Sequence, residues 1–107
     1  MRNTLVMIIV SIFSFNIYAT TYSNQELRII RSPDERPCML FQLKTVSNAG
    51  GSGNPWFALK QSHIGYNDIV SMLLAAKISN TKVHVSTNDR QVTQCGGHVE
   101  VTVVSLP

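Results

Sequence analysis

Cysteine and tryptophan are scarce in this chain: its 107 residues hold two Cys and one Trp. That rules out a disulfide-dense scaffold and leaves too few thiolates for a cysteine-only zinc site. No Gly-x-Ser-x-Gly elbow and no His-Glu-x-x-His pair occurs, so the sequence signatures of serine hydrolases and zinc proteases are missing. Gly50–Gly53 is glycine-rich but lacks the Gly-Lys-Ser/Thr ending of a phosphate loop and opens no helix. It reads as a flexible connection. Internal repeats, low-complexity tracts and domain linkers are also missing. The length excludes two ordinary domains, and a 44% hydrophobic content excludes a disordered tail.

No apolar run is long enough to span a bilayer. The longest, Leu5–Val10 with Ile12 and Phe13, is interrupted by Ser11, Ser14 and Asn16. With Arg2 ahead of it and Ile17–Ala19 behind, it reads as a signal peptide over residues 1–19. The expected mature chain is a single domain, Thr20–Pro107, secreted or periplasmic, with no transmembrane segment. It keeps eight Lys+Arg and six acids, a net charge of +2. Those cations are scattered, so the electrostatic footprint of a nucleic-acid binder is missing. Export places Cys38 and Cys95 in an oxidising compartment, where two cysteines imply one disulfide. Closing that loop contributes about 4 kcal/mol on the chain-entropy model, which matters in so small a domain.

Thr20–Gln25 is polar and reads as loose. Strands are expected at 26–31, 38–46, 56–61, 82–87 and 97–105, the last with Val99, Val101 and Val103 facing one way. Ser32–Pro37 and Ser47–Pro55 read as loops. A helix is expected from Asp68 to about Ser79, capped by Asn67 and stopped by a left-handed Asn80. Three strands, a helix and two strands give a mainly β fold with one α-helix. The expected architecture is a five-stranded OB-fold barrel with its helix between the third and fourth strands. A small open sheet with a packed helix is the alternative.

On the helix, Ile69, Met72, Leu73 and Ala76 form one apolar stripe. Val70, Ser71, Leu74, Ala75 and Ile78 lie outside it, and few positions are firmly polar. A helix apolar nearly all round should be covered on more than one side. The second face is therefore a candidate contact between copies of the chain, pointing to a homo-oligomer.

Catalysis has little support, and the expectation is a protein that is not an enzyme and carries no cofactor. His63, His84 and His98 are available, and Cys95 and His98 have ligand-like spacing. A metal site would need a further histidine and would compete with the disulfide, so no metal is expected. Binding is better supplied. Trp56 beside Asn54, and Tyr66 beside Asn67, pair an aromatic face with a directional amide, the chemistry that sugars require. Lys60, Gln61 and Ser62 are possible rim contacts.

Met72–Asn80, Lys82–Asn88 and Cys95–Val101 together resemble the second half of Shiga-type toxin B subunits. Cys38, Lys44–Val46, Gly51–Gly53, Pro55 and Lys60–Ser62 are similar to the B subunit of subtilase-type cytotoxin. The resemblance implies an OB-fold subunit in a homopentamer around a helix-lined pore. It further implies binding of host cell-surface glycans and docking of a catalytic A subunit. Cys38 follows an extra candidate strand, and Asn67 stands where the Shiga-type subunit has an aromatic, so sugar-contacting residues are not carried over position by position. The alternative is a monomeric periplasmic or secreted binding or inhibitor protein of unknown target.

Overall fold

The computed structural model describes residues 19–107. The signal peptide expected over 1–19 lies outside the described residues except for Ala19. Six strands and one helix follow in order: β1 (Thr20–Gln25), β2 (Leu27–Arg31), β3 (Cys38–Leu43), β4 (Trp56–Lys60), α1 (Tyr66–Ser79), β5 (Val83–Val92) and β6 (His98–Ser105). The strands form one sheet in the order β1-β5-β6-β4-β3-β2. β4 and β6 are parallel. The other four pairings are antiparallel.

This corrects the five-stranded OB-fold barrel. There are six strands in an open, mixed sheet, and the helix follows the fourth strand instead of the third. β1 and β2 are separated only by Glu26 yet form opposite edges of the sheet, and no ladder joins them. The sixth strand is the polar stretch that reads as loose. Thr20, Thr21 and Tyr22 pair with Thr87, Ser86 and Val85, so backbone hydrogen bonds, not apolar alternation, make it a strand. Tyr22 anchors it. Its ring meets Phe57 edge-on at 5.2 Å, and its hydroxyl accepts a hydrogen bond from Gly50 N at 2.8 Å. Gly50 is at φ 56, and a Cβ there would collide with Val99 Cγ2. Only glycine lets the loop approach β6 this closely.

Alternation along the strands gives the sheet two dissimilar faces. The inner face holds the main core: Met39, Phe41 and Leu43 from β3, Phe57 and Leu59 from β4, Val83 and Val85, and Val99 and Val101. Phe41 and Phe57 stack at 5.3 Å. Ile69, Leu73 and Ala76 of α1 complete this layer, and Met72 packs partly against it. The outer face carries a smaller cluster of Cys38, Leu40, Ala58 and Cys95, flanked by Trp56 and Val92. The Cys38–Cys95 disulfide is formed, with Cα atoms 5.7 Å apart, and it explains why β3 is buried on both faces.

Two irregularities shift the expected pattern. Between Ser86/Val103 and Thr87/Val101 the register gains one residue on β6, Thr102, a β-bulge. Alternation therefore breaks, leaving Val103 exposed and Val104 in the core. β5 also runs on to Val92, through a bulge in which Asp89 takes φ 57. There the Asp89 carboxylate accepts hydrogen bonds from Thr20 Oγ1 at 2.7 Å and Thr87 Oγ1 at 2.6 Å.

The helix begins two residues before the expected Asp68, at Tyr66. Gly65 occupies the cap position without a side-chain cap bond. Asn67 is not the cap, and His63 holds the residue ahead of the helix instead. It bonds to the Thr102 carbonyl through Nε2 at 2.9 Å and accepts from Gly65 N through Nδ1 at 2.9 Å, tying the helix start to β6. Asn80 stops the helix in the left-handed region, at φ 57, as expected.

Candidate functional site

The outer side of α1 carries two exposed large hydrophobic residues. Leu74 is 46% exposed and Ile78 84%, while Leu73, one residue away and on the opposite side, is fully buried. Ser71 and Ala75 are exposed between them and Val70 is half-buried. These are the five contact candidates from the sequence, and they share one helix face. Val70 packs partly against the core, whereas Leu74 and Ile78 take no part in it. Lys77 flanks this face and donates from Nζ to the Arg28 carbonyl oxygen at 3.2 Å. Lys77 thus gives the apolar strip a basic border toward β2.

The sugar-contact candidates do not assemble into one site. Asn54, Trp56 and Lys60 lie on or beside β4, toward the outer face of the sheet. Asn54 Oδ1 accepts from Trp56 N at 3.0 Å. Lys60 is half-buried and ion-paired with Glu100 at 3.6 Å, and Glu100 also accepts from Asn88 Nδ2 at 3.0 Å. Tyr66 packs instead against the inner-face core, and Asn67 is exposed on α1. An aromatic pair split between the two faces of a sheet cannot hold a single sugar ring.

Around Trp56 stand residues that the sequence did not assign to it. Gln42 is its direct partner across the β3–β4 ladder, and His98 lies 6.4 Å from it, ring to ring. Asn54 Oδ1 also meets His98 Nδ1 at 3.0 Å. Burial, reinforced by the Arg36 guanidinium, lowers the His98 pKa from its ordinary value. The spacing of Cys95 and His98 hinted at a shared locality, but cross-strand register is invisible without the fold.

Neither cysteine is free. The histidines spend ring nitrogens on the backbone or on Asn54, with His84 Nδ1 accepting from Asn24 N at 3.1 Å. Among the described residues no group of three or more His, Cys, Asp or Glu is placed to hold a metal ion. A polar cleft of about 260 Å³ lies where β1 bends into β2, lined by Asn24, Gln25, Glu26, Lys44, Thr45 and Lys82. Two of its pairs already satisfy each other, Lys44 with Glu26 and Thr45 with Gln25.

No family model matches the chain, and no curated protein matches its sequence. The likeness to one-A-five-B toxin B subunits is corrected by the fold itself. It implied a closed five-stranded OB-fold, and the sheet is open and six-stranded. The homopentamer and the docking of a catalytic A subunit were implied by that architecture and lose their support with it, and the glycan reading loses its sugar site because its aromatic candidates lie on opposite faces of the sheet. No helix of the described residues is long and apolar enough to cross a membrane.

Proposed function

We propose that the protein is a monomeric, disulfide-stapled binding module of the periplasm or extracellular space. It docks a protein partner along the outer face of α1 and acts as an inhibitor or adaptor, not as an enzyme. One observation carries this reading: Leu74 and Ile78 stand 46% and 84% exposed on a helix whose other side already fills the core. Large apolar side chains grouped on one face, and not needed for folding, characterise an interaction surface. Lys77 suits a partner with acidic groups beside its apolar contact, since border charges steer encounter and select partners. The disulfide supports the reading by giving a small domain the stability to present such a surface outside the cell.

The test is a photo-crosslinking amino acid placed at Ile78 in the cell that makes the protein, with a control at the exposed Ser105. A discrete heterologous adduct is expected from position 78, absent at 105 and lost when Leu74→Lys is added. Adducts only between copies of the chain, or equal adducts from both positions, would overturn it.

A further inference from the structure

The outer face of the sheet carries polar and aromatic groups that the α1 surface does not use. Trp56 is the only tryptophan of the chain. Its ladder partner Gln42 is only 7% exposed, and among the described residues no hydrogen bond satisfies its carboxamide. A buried amide left in that state destabilises a fold by about 1–3 kcal/mol, so a ligand that completes it gains by that interaction.

The hydrogen bonds fix the chemistry of His98. The backbone N–H of Trp56 can only donate, so the Asn54 atom receiving it at 3.0 Å is the carboxamide oxygen. That same oxygen lies 3.0 Å from His98 Nδ1, which must therefore carry the proton. His98 Nε2 is left with a bare lone pair, and the Asn54 amino group is left to donate. Gly96, at φ 83, makes room for a cation beside this ring. A Cβ there would come within 2.5 Å of Arg36 Nη1 and 3.4 Å of His98 Cδ2. Among the described residues Arg36 takes no part in an ion pair. Glu100, the next residue of β6 on this face, is held by Lys60 and Asn88, and the carboxylate nearest Arg36 is the exposed Asp34, which accepts from Arg36 N at 3.1 Å without ion-pairing to its guanidinium.

We infer that Trp56, Gln42, His98 and Arg36 form a binding site for a carboxylate attached to a flat apolar ring. The ring lies on the Trp56 indole and the carboxylate faces the Arg36 guanidinium. The carboxamides of Gln42 and Asn54 supply donors between them. Guanidinium–carboxylate pairing and aromatic stacking are each directional, and together they select this class over neutral or cationic rings. The site is on the opposite side of the sheet from α1 and stands or falls separately from the partner-docking surface.

Because Trp56 is the only tryptophan, intrinsic fluorescence of the oxidised protein reports on this site directly. The probes are phenylacetate and its amide, and the capped dipeptide Ac-Glu-Phe-NH2 with its Gln counterpart. Saturable change with a carboxylate, weakened about tenfold or more in the matching amide, is expected. The tighter of the two carboxylates tells whether the ring acid is a free small molecule or a peptide segment. Arg36→Gln, at an exposed position, should weaken carboxylate binding about tenfold without unfolding the protein. A second reading comes from the His98 ring proton in NMR titration: a bound carboxylate favours the imidazolium and raises the depressed pKa. Equal response to acid and amide, no saturation by either acid, or unchanged binding in Arg36→Gln would overturn the inference.

Discussion

Lys77 Nζ lies 3.2 Å from the carbonyl oxygen of Arg28, a link from the last turn of α1 to the edge strand β2. It ties the last turn to β2 beside the buried stripe of Ile69, Leu73 and Ala76, which faces the sheet and leaves Leu74 and Ile78 outward. Neighbouring leucines on one helix thus have different roles, which gives the first prediction. Leu73→Ala should destabilise the oxidised protein by about 2–5 kcal/mol in urea unfolding, as buried truncations do. Ile78→Lys should change stability by less than about 0.5 kcal/mol. Equal losses would make the outer face part of the core.

Reduction should be costly. Opening the Cys38–Cys95 loop, 57 residues in sequence separation, removes a constraint worth about 4 kcal/mol on the chain-entropy model. The intact protein should weigh two protons less than the reduced one, and adding reductant should lower its urea midpoint strongly. Free thiols in the protein isolated without reductant would refute the pairing.

Asp89 closes the β5 bulge by accepting from Thr20 and Thr87, and Thr87 is fully buried. Asp89→Ala leaves that hydroxyl with only a long contact of 3.5 Å to the Thr20 carbonyl. The expected loss is about 1–3 kcal/mol. It should come with faster hydrogen exchange along β1, which depends on the same clasp. Normal protection of β1 in the variant would show that the backbone ladder suffices.

Much of this was legible in the residues. Both cysteines, the inward stripe Ile69, Leu73 and Ala76, and the left-handed stop at Asn80 each carry a local signal that the fold preserves. β1 carries none, because its polar side chains hide a strand made by backbone pairing to β5. The switch from Val103 to Val104 depends on a bulge at Thr102 that only cross-strand register creates. Sheet closure could not be read either, since it turns on how Glu26 divides one stretch of chain between two edges. The Trp56 surroundings were hidden for the same reason: Gln42 reaches Trp56 only by cross-strand pairing, His98 comes from the last strand, and Arg36 approaches from a loop beside Gly96.

Protonation of His98 should oppose folding. Burial, with Arg36 adding to it, lowers its pKa in the folded protein, so the unfolded chain binds the proton more readily. The His98 contribution is fully present above the unfolded value and is lost as pH falls below about 6.5. His98→Gln should flatten that part of the stability–pH curve, and Arg36→Gln should reduce its slope. A slope unchanged in both variants would place the proton elsewhere.

The central claim is that the outer face of α1 is free surface on a monomer. Sedimentation equilibrium of the oxidised protein, residues 20–107, across a wide dilution series tests it most directly. The account predicts one monomer mass at every concentration, unchanged by Ile78→Lys. A larger species that forms with concentration and disappears in Ile78→Lys would contradict it, because the face would then belong to copies of the chain.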